Sequence, residues 1–209
     1  MPKLGPPQTP APNVRSTADA YIQTLSAHGI DYVFANAGTD FAPVVEALIK
    51  ARETGTSVPE FLAIPHENVA VHMAAGYWET CGELAAVMVH VTVGTANAAC
   101  GLMNASRENV PMLLAAGRTP ITETGDAASR NGVIHWGQES FDQGGMVREY
   151  VKWDYELRHG QPVGDIVARA SAVAAGLGIW LSSSNTSAAS AFDSRKWRRV
   201  CAWLKLHAP

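Results

Sequence analysis

The chain has 209 residues, 47% of them hydrophobic, which is enough for one substantial domain with a real core. A formal charge of -3 and a pI near 6.1 give no electrostatic footprint for nucleic acid or an anionic membrane, so neither is expected as a partner. Three cysteines, Cys81, Cys100 and Cys201, are odd in number and lack CxxC spacing, which argues against a disulfide framework or a thiolate zinc site and favours a reducing, cytoplasmic setting.

Residues 1–15 begin with a proline-rich stretch in which Lys3 is the one charge up to Asn13, neither a signal core nor an Arg-rich transit helix, and read as a disordered arm. Residues 16–176 form the predicted domain. A helix near Thr17–His28 presents Ala18, Tyr21, Ile22 and Leu25 on one face, stops at Gly29 and feeds a strand over Tyr32–Ala35. Gly38-Thr39-Asp40 turns into a helix from Phe41 to about Arg52. Strand Glu60–Ile64 ends at Pro65, and Val69, Met73 and Tyr77 then recur at helical spacing, which places Glu67 in the first turn of the next helix. Strand Leu84–His90, helix Thr95–Ala105 and strand Met112–Ala115 follow.

This alternation predicts an α/β fold, a doubly wound, mostly parallel sheet with helices on both faces. All four strands read as continuous apolar runs, as interior strands do. Apolar runs such as Leu84–Val91 are too short to span a bilayer. From Gly117 to Gly145 the composition predicts an ordered, irregular loop segment containing His135 and Trp136. Glu149–Leu157 reads as a further strand or extended segment, and Val163–Ala175 as an amphipathic helix. Residues 177–209, Ser-rich and then basic and Trp-rich, do not continue the pattern. They read as a solvated linker and short exposed helix in preference to a membrane or partner helix.

Several chemistries are excluded by spacing. His66 and His72 are six positions apart, about 600° around a helix, so they do not make the i, i+4 pair of a zinc peptidase. Gly38, Gly94 and Gly101 form no dinucleotide fingerprint, and neither a phosphate-binding GxxxxGK[ST] run nor a Gly-x-Ser-x-Gly elbow occurs. Glu67 remains. An acid at a helix start has an ordinary explanation, since the macrodipole favours it by roughly 0.3–1 kcal/mol.

His66-Glu67-Asn68-Val69-Ala70-Val71-His72-Met73-Ala74-Ala75-Gly76-Tyr77 resembles the His-Glu…Ala…Gly-Tyr segment of thiamine diphosphate-dependent enzymes, in the pyrimidine-binding domain of the acetolactate synthase-like group. Four further segments agree in order. Tyr32-Val33-Phe34-Ala35-Asn36-Ala37-Gly38 is similar to that family's first strand and glycine turn, with Ala37-Gly38-Thr39 for the usual Pro-Gly-Gly. His90 to Asn97 lines up with Thr-Ser-Gly-Pro-Gly-Ala-Thr-Asn, keeping Gly94 and Asn97 but carrying Thr92 and Val93 for the first Gly and the Pro. Asn109 to Gly117 matches the next strand, and Trp136-Gly137-Gln138-Glu139 resembles the loop whose glutamine lies beside the thiazolium ring.

The resemblance covers about Ser16 to Ala175. It implies the thiamine diphosphate-binding fold with Glu67 as the catalytic residue, hydrogen-bonded to the aminopyrimidine N1′ and assisting loss of the thiazolium C2 proton. Gly38, Thr39, Gly94, Asn97 and Gln138 would bind the cofactor beside it. Taken without the resemblance, Gly38 and Gly94 serve tight turns, Asn97 caps a helix and Gln138 is a surface loop residue.

The family's Gly-Asp-Gly…Asn diphosphate and metal motif is absent. Thr124-Gly125-Asp126-Ala127 and Gly164-Asp165-Ile166 lack its second glycine and asparagine. Magnesium would therefore come only through another domain or partner, and nothing calls for a flavin. The last strand expected of this domain is also missing, Gly178–Leu181 being its one short substitute. The tail from 177 reads as translated from another frame or an unspliced intron, making a truncated product. The expectation is half of a carboligase or decarboxylase site for 2-oxo acids or aldehydes, inactive alone, with a homodimer or a diphosphate-binding domain or subunit as its partner. The alternatives are one subunit of a two-subunit enzyme, or a non-catalytic interaction module.

Overall fold

The computed structural model describes residues 16–125, 129–158 and 161–176, so the expected arm over residues 1–15 and the expected tail over 177–209 lie outside the described residues. Chain order is α1 (Thr17–Ala27), β1 (Tyr32–Asn36), a 3-10 turn (Thr39–Phe41), α2 (Ala42–Thr54), β2 (Glu60–Ala63), α3 (Glu67–Cys81), β3 (Ala86–Val89), α4 (Val91–Arg107) and β4 (Leu113–Ala116), then a short α5 (Ile134–Gly137) and α6 (Val163–Ala175).

The strands form one parallel sheet in the order β2-β1-β3-β4. Connections therefore run one way from β1 to β2 and the other way from β3 to β4, and the reversal splits the helices between two faces. Side-chain alternation follows. Val33 and Ala35 of β1, with Ala86 and Met88 of β3, join the α1, α2 and α6 core, while Phe34, Val87 and Val89 join the α3 and α4 core.

Local chemistry fixes the helix ends. Ser16 and Asp19 form a reciprocal capping box on α1, and Asp19 also accepts from Lys50 Nζ at 2.6 Å, tying α1 to α2. Gly55 and Gly82 stop α2 and α3 in the left-handed region at φ 66° and 68°. Gly101 of α4 is a close-approach glycine, since a Cβ there would lie 2.8 Å from both Asn68 Oδ1 and Val71 Cγ1 of α3. In Gly101→Ala, overpacking of about 2–3 kcal/mol outweighs the roughly 1 kcal/mol gained in helix propensity. A net loss of about 1–2 kcal/mol in urea unfolding is expected.

Three expectations are corrected. Only β1 and β3 are interior; β2 and β4 are edges of the described sheet, and neither has a fully buried residue. Their partly buried apolar residues, Phe61, Leu62, Leu113 and Leu114 among them, still pack against the two cores, which the sequence cannot tell from flanking by strands. Helix α4 begins at Val91, four residues before Thr95, because Val91 takes a positive φ of 34° and turns the chain into the helix directly from the strand. Of the two alternatives for Glu149–Leu157, a strand or an extended segment, the strand does not form. Its side chains are engaged locally instead: Arg148 bridges Asp142 and Asp154, and Trp153 stacks on Tyr155 with Arg169 of α6 over the indole ring. Cys100 is free and exposed.

The Arg148 guanidinium holds both aspartates below the usual carboxylate range. A depressed folded-state value means that their small contribution is present above the unfolded value and lost as pH falls through the folded one. Arg148→Gln should therefore lower the melting temperature at neutral pH and narrow the gap to wild type in acid, as read by thermal scans at each pH.

Candidate functional site

Parallel strands all point their carboxyl ends to one edge of the sheet, and ligands of such sheets bind outside that edge at the point where strand order reverses. Here the reversal lies between β1 and β3. Gly38 follows β1, His90 and Gly94 follow β3, and Glu67 opens α3 beyond β2.

Glu67 is 6% exposed. His66 caps α3, its Nδ1 accepting from the Asn68 N–H at 3.1 Å, which leaves Glu67 as the first helical residue. Asn97 of α4 donates from Nδ2 to Glu67 Oε2 at 3.1 Å. No hydrogen bond or ion pair engages Oε1 among the described residues. A Cβ at Gly94 would lie 3.3 Å from Oε1 and 3.0 Å from Val89 Cβ, so glycine keeps bare backbone beside the carboxyl group. Glu67, Gly94 and Asn97 thus meet. Asn97→Ala would leave a nearly buried carboxyl oxygen without its donor, and about 1–3 kcal/mol should be lost in denaturant unfolding.

A second cluster spans the strand reversal. His90 Nδ1 lies 2.6 Å from Asp40 Oδ1, and the Val91 N–H donates to Asp40 Oδ2 at 3.4 Å. On the other side of the ring His90 Nε2 lies 3.0 Å from Gln138 Nε2, while Thr92 Oγ1 donates to the Gln138 carbonyl at 2.8 Å. Gly38 is bare because the His90 ring occupies the space of a Cβ, and Gly117 because Asp40 does. Gly38 and Gln138 are therefore joined through His90. Thr39 is exposed, and no side-chain hydrogen bond links it to either cluster among the described residues.

Asp40 and His90 were not among the residues singled out from sequence. Their signals are an acid two places after the turn glycine and a histidine at a strand's carboxyl end, and only the strand order brings them together. The strained Val91 belongs to the same corner, its β-branched side chain at φ 34° costing about 1–3 kcal/mol held by surrounding packing. Among the described residues no group of three or more His, Cys, Asp or Glu could hold a metal ion, and no helix is long and apolar enough to cross a membrane.

A family model described as "Thiamine pyrophosphate enzyme, N-terminal TPP binding domain" matches residues 15–146. The acetolactate synthase large subunit of Haemophilus influenzae is 26% identical over 159 residues, 76% of this chain and 25% of the relative. That of Parasynechococcus marenigrum is 28% identical over 165 residues, 79% of this chain and 25% of the relative. The chain thus spans about a quarter of the length of these curated relatives. Among solved structures, the thiamine diphosphate-dependent 4-hydroxybenzoylformate decarboxylase of Rhodococcus jostii shares the fold with a TM-score of 0.57 at 23% identity, over 74% of this chain and 27% of that one.

Proposed function

The chain belongs to the thiamine pyrophosphate enzymes, as a form of their N-terminal cofactor-binding domain, and from that premise we propose that it supplies the aminopyrimidine half of an acetolactate synthase-like site. The reaction would be carboligation or decarboxylation of 2-oxo acids or aldehydes. One observation carries the reading: Glu67 is nearly buried, its Oε2 held by Asn97 and its Oε1 left without a hydrogen bond beside the bare backbone of Gly94.

Those residues fit a flat heteroaromatic ring. Glu67 Oε1 would share a proton with the pyrimidine N1′, Asn97 would fix the carboxyl orientation, and Gly94 would admit the ring edge. Gln138, with Gly38 and Thr39, would line the side toward the thiazolium. Bound thiamine diphosphate supplies an electron sink for making or breaking a bond next to a carbonyl. The chain's own share is orientation, exclusion of water and a proton held at Oε1.

The other half would come from a diphosphate-binding domain or subunit, which would also bring magnesium. The α3 and α4 face supports a covering partner, since Val69, Met73, Val93 and Met103 are each more than 40% exposed there. The same face would serve a non-catalytic module, for which Glu67 would be dispensable.

Calorimetry with thiamine diphosphate and magnesium tests the reading, first on the chain alone and then with a diphosphate-binding domain of the family added. Binding should be weak alone and tighten at least about tenfold on pairing, a gain of about 1.4 kcal/mol. Tight binding to the unpaired chain would contradict the half-site, and no binding in any pairing would favour the module.

A further inference from the structure

A cleft of about 600 Å³ opens among the loops that follow β4, within the size range of small-molecule sites. Its lining includes Arg118, Arg130 and Arg158 against Glu139 and Glu156, three cations to two anions. The two carboxylates are already engaged. Glu139 accepts from Arg118 at 3.1 Å, from Thr119 Oγ1 at 3.2 Å and from Arg130, and Glu156 pairs with Arg118.

Arg130 is rigid. Its side chain is 11% exposed, its Nε donates to the Pro120 carbonyl at 2.8 Å, and its guanidinium lies 4.4 Å over the Trp136 ring. Arg158 makes no side-chain ion pair or hydrogen bond among the described residues, so the uncompensated cation is there. Beside these charges stand two apolar side chains, Phe141, fully exposed, and Ile121, 64% exposed.

We propose that this cleft binds a small molecule carrying one carboxylate on an apolar body. The arginine fork matches a carboxylate in two parallel hydrogen bonds. Among the described lining residues one cation is in surplus, which matches a monoanion. The preformed Arg118, Glu139 and Arg130 net lowers the ordering cost of binding, and Phe141 and Ile121 give the apolar body a surface to leave water against. The site is separate from the Glu67 cluster and involves no cofactor.

The test titrates the full chain, without thiamine diphosphate, with phenylacetate, acetate and inorganic phosphate by calorimetry. Phenylacetate should bind saturably and at least tenfold tighter than acetate or phosphate. Arg158→Gln should weaken it at least tenfold without moving the melting temperature, because among the described residues that side chain holds nothing in place, and Arg158→Lys should fall between. Phe141→Ser should erase the preference for phenylacetate over acetate. Equal phenylacetate affinity in wild type and Arg158→Gln, or no saturable binding, would overturn the proposal and leave the arginines as a loop staple. Phosphate bound tighter than phenylacetate and indifferent to Phe141 would overturn the carboxylate assignment. Because no cofactor is present, neither result bears on the Glu67 reading.

Discussion

Glu67→Gln is expected to slow exchange of the thiazolium C2 proton by about 10²–10⁴-fold in the assembled site, the span usual for removing a positioned acid or base. Nuclear magnetic resonance of the quenched cofactor reads this directly. The amide keeps the shape of the carboxyl group, and its oxygen can still accept from Asn97 Nδ2, so the link between α3 and α4 survives. The loss of charge at the start of α3 removes a helix-dipole term of roughly 0.3–1 kcal/mol, leaving the unfolding midpoint nearly in place. Exchange collapses while stability hardly moves. That separation distinguishes a proton carrier from a capping acid, for which stability would change and exchange would not. Unaltered exchange in a variant that still binds cofactor would end the assignment of Glu67.

What was legible in the sequence was what neighbouring residues decide. The Val163–Ala175 helix follows from its apolar period and matches α6 residue for residue. Glu67 at the mouth of α3 follows from Pro65 and the Val69, Met73, Tyr77 repeat. The place of those elements beside one another was less legible. Nothing local in β2 or β4 says that each is an edge of the described sheet, because an apolar run is equally satisfied by helices above and below. The start of α4 was hidden for a different reason: a β-branched valine at positive φ is what propensity argues against, and tertiary packing enforces it at Val91. The pairing of Asp40 with His90 joins residues fifty positions apart, and only the reversal between β1 and β3 makes them neighbours.

Glycine positions show how tightly this corner is packed. Gly94 leaves room at Glu67, Gly38 leaves room for the His90 ring, and Gly117 leaves room for Asp40. The family resemblance accounts for Gly38 and Gly94 through close approach to a cofactor. The structure adds that Gly38 is also filled from within, by a side chain of this chain's own. A histidine held between Asp40 and Gln138 therefore stands where bare backbone alone was expected, and it couples the turn after β1 to the loop carrying Gln138.

Gly38→Ala follows from that coupling as the second large effect. The new methyl group would overlap the His90 ring near its attachment, so the ring must leave; a swing of a flexible tip would not relieve the overlap. Overpacking costs about 1–3 kcal/mol. Displacing the imidazole also breaks its contact with Asp40, a carboxylate only 11% exposed, and hydrogen bonds to charged groups are worth about 1.5–3 kcal/mol. The two share one event and do not add in full, so a loss of about 3 kcal/mol is expected. Urea unfolding measures it. Gln138 would lose its side-chain partner while keeping the Thr92 bond to its carbonyl, so the loop should stay docked with its amide released. The double variant Gly38→Ala, His90→Ala removes the ring that the methyl group strikes and should recover the overpacking part of the loss. A double variant less stable than Gly38→Ala alone would mean that the steric conflict lies elsewhere, and His90 would then no longer explain why residue 38 is glycine.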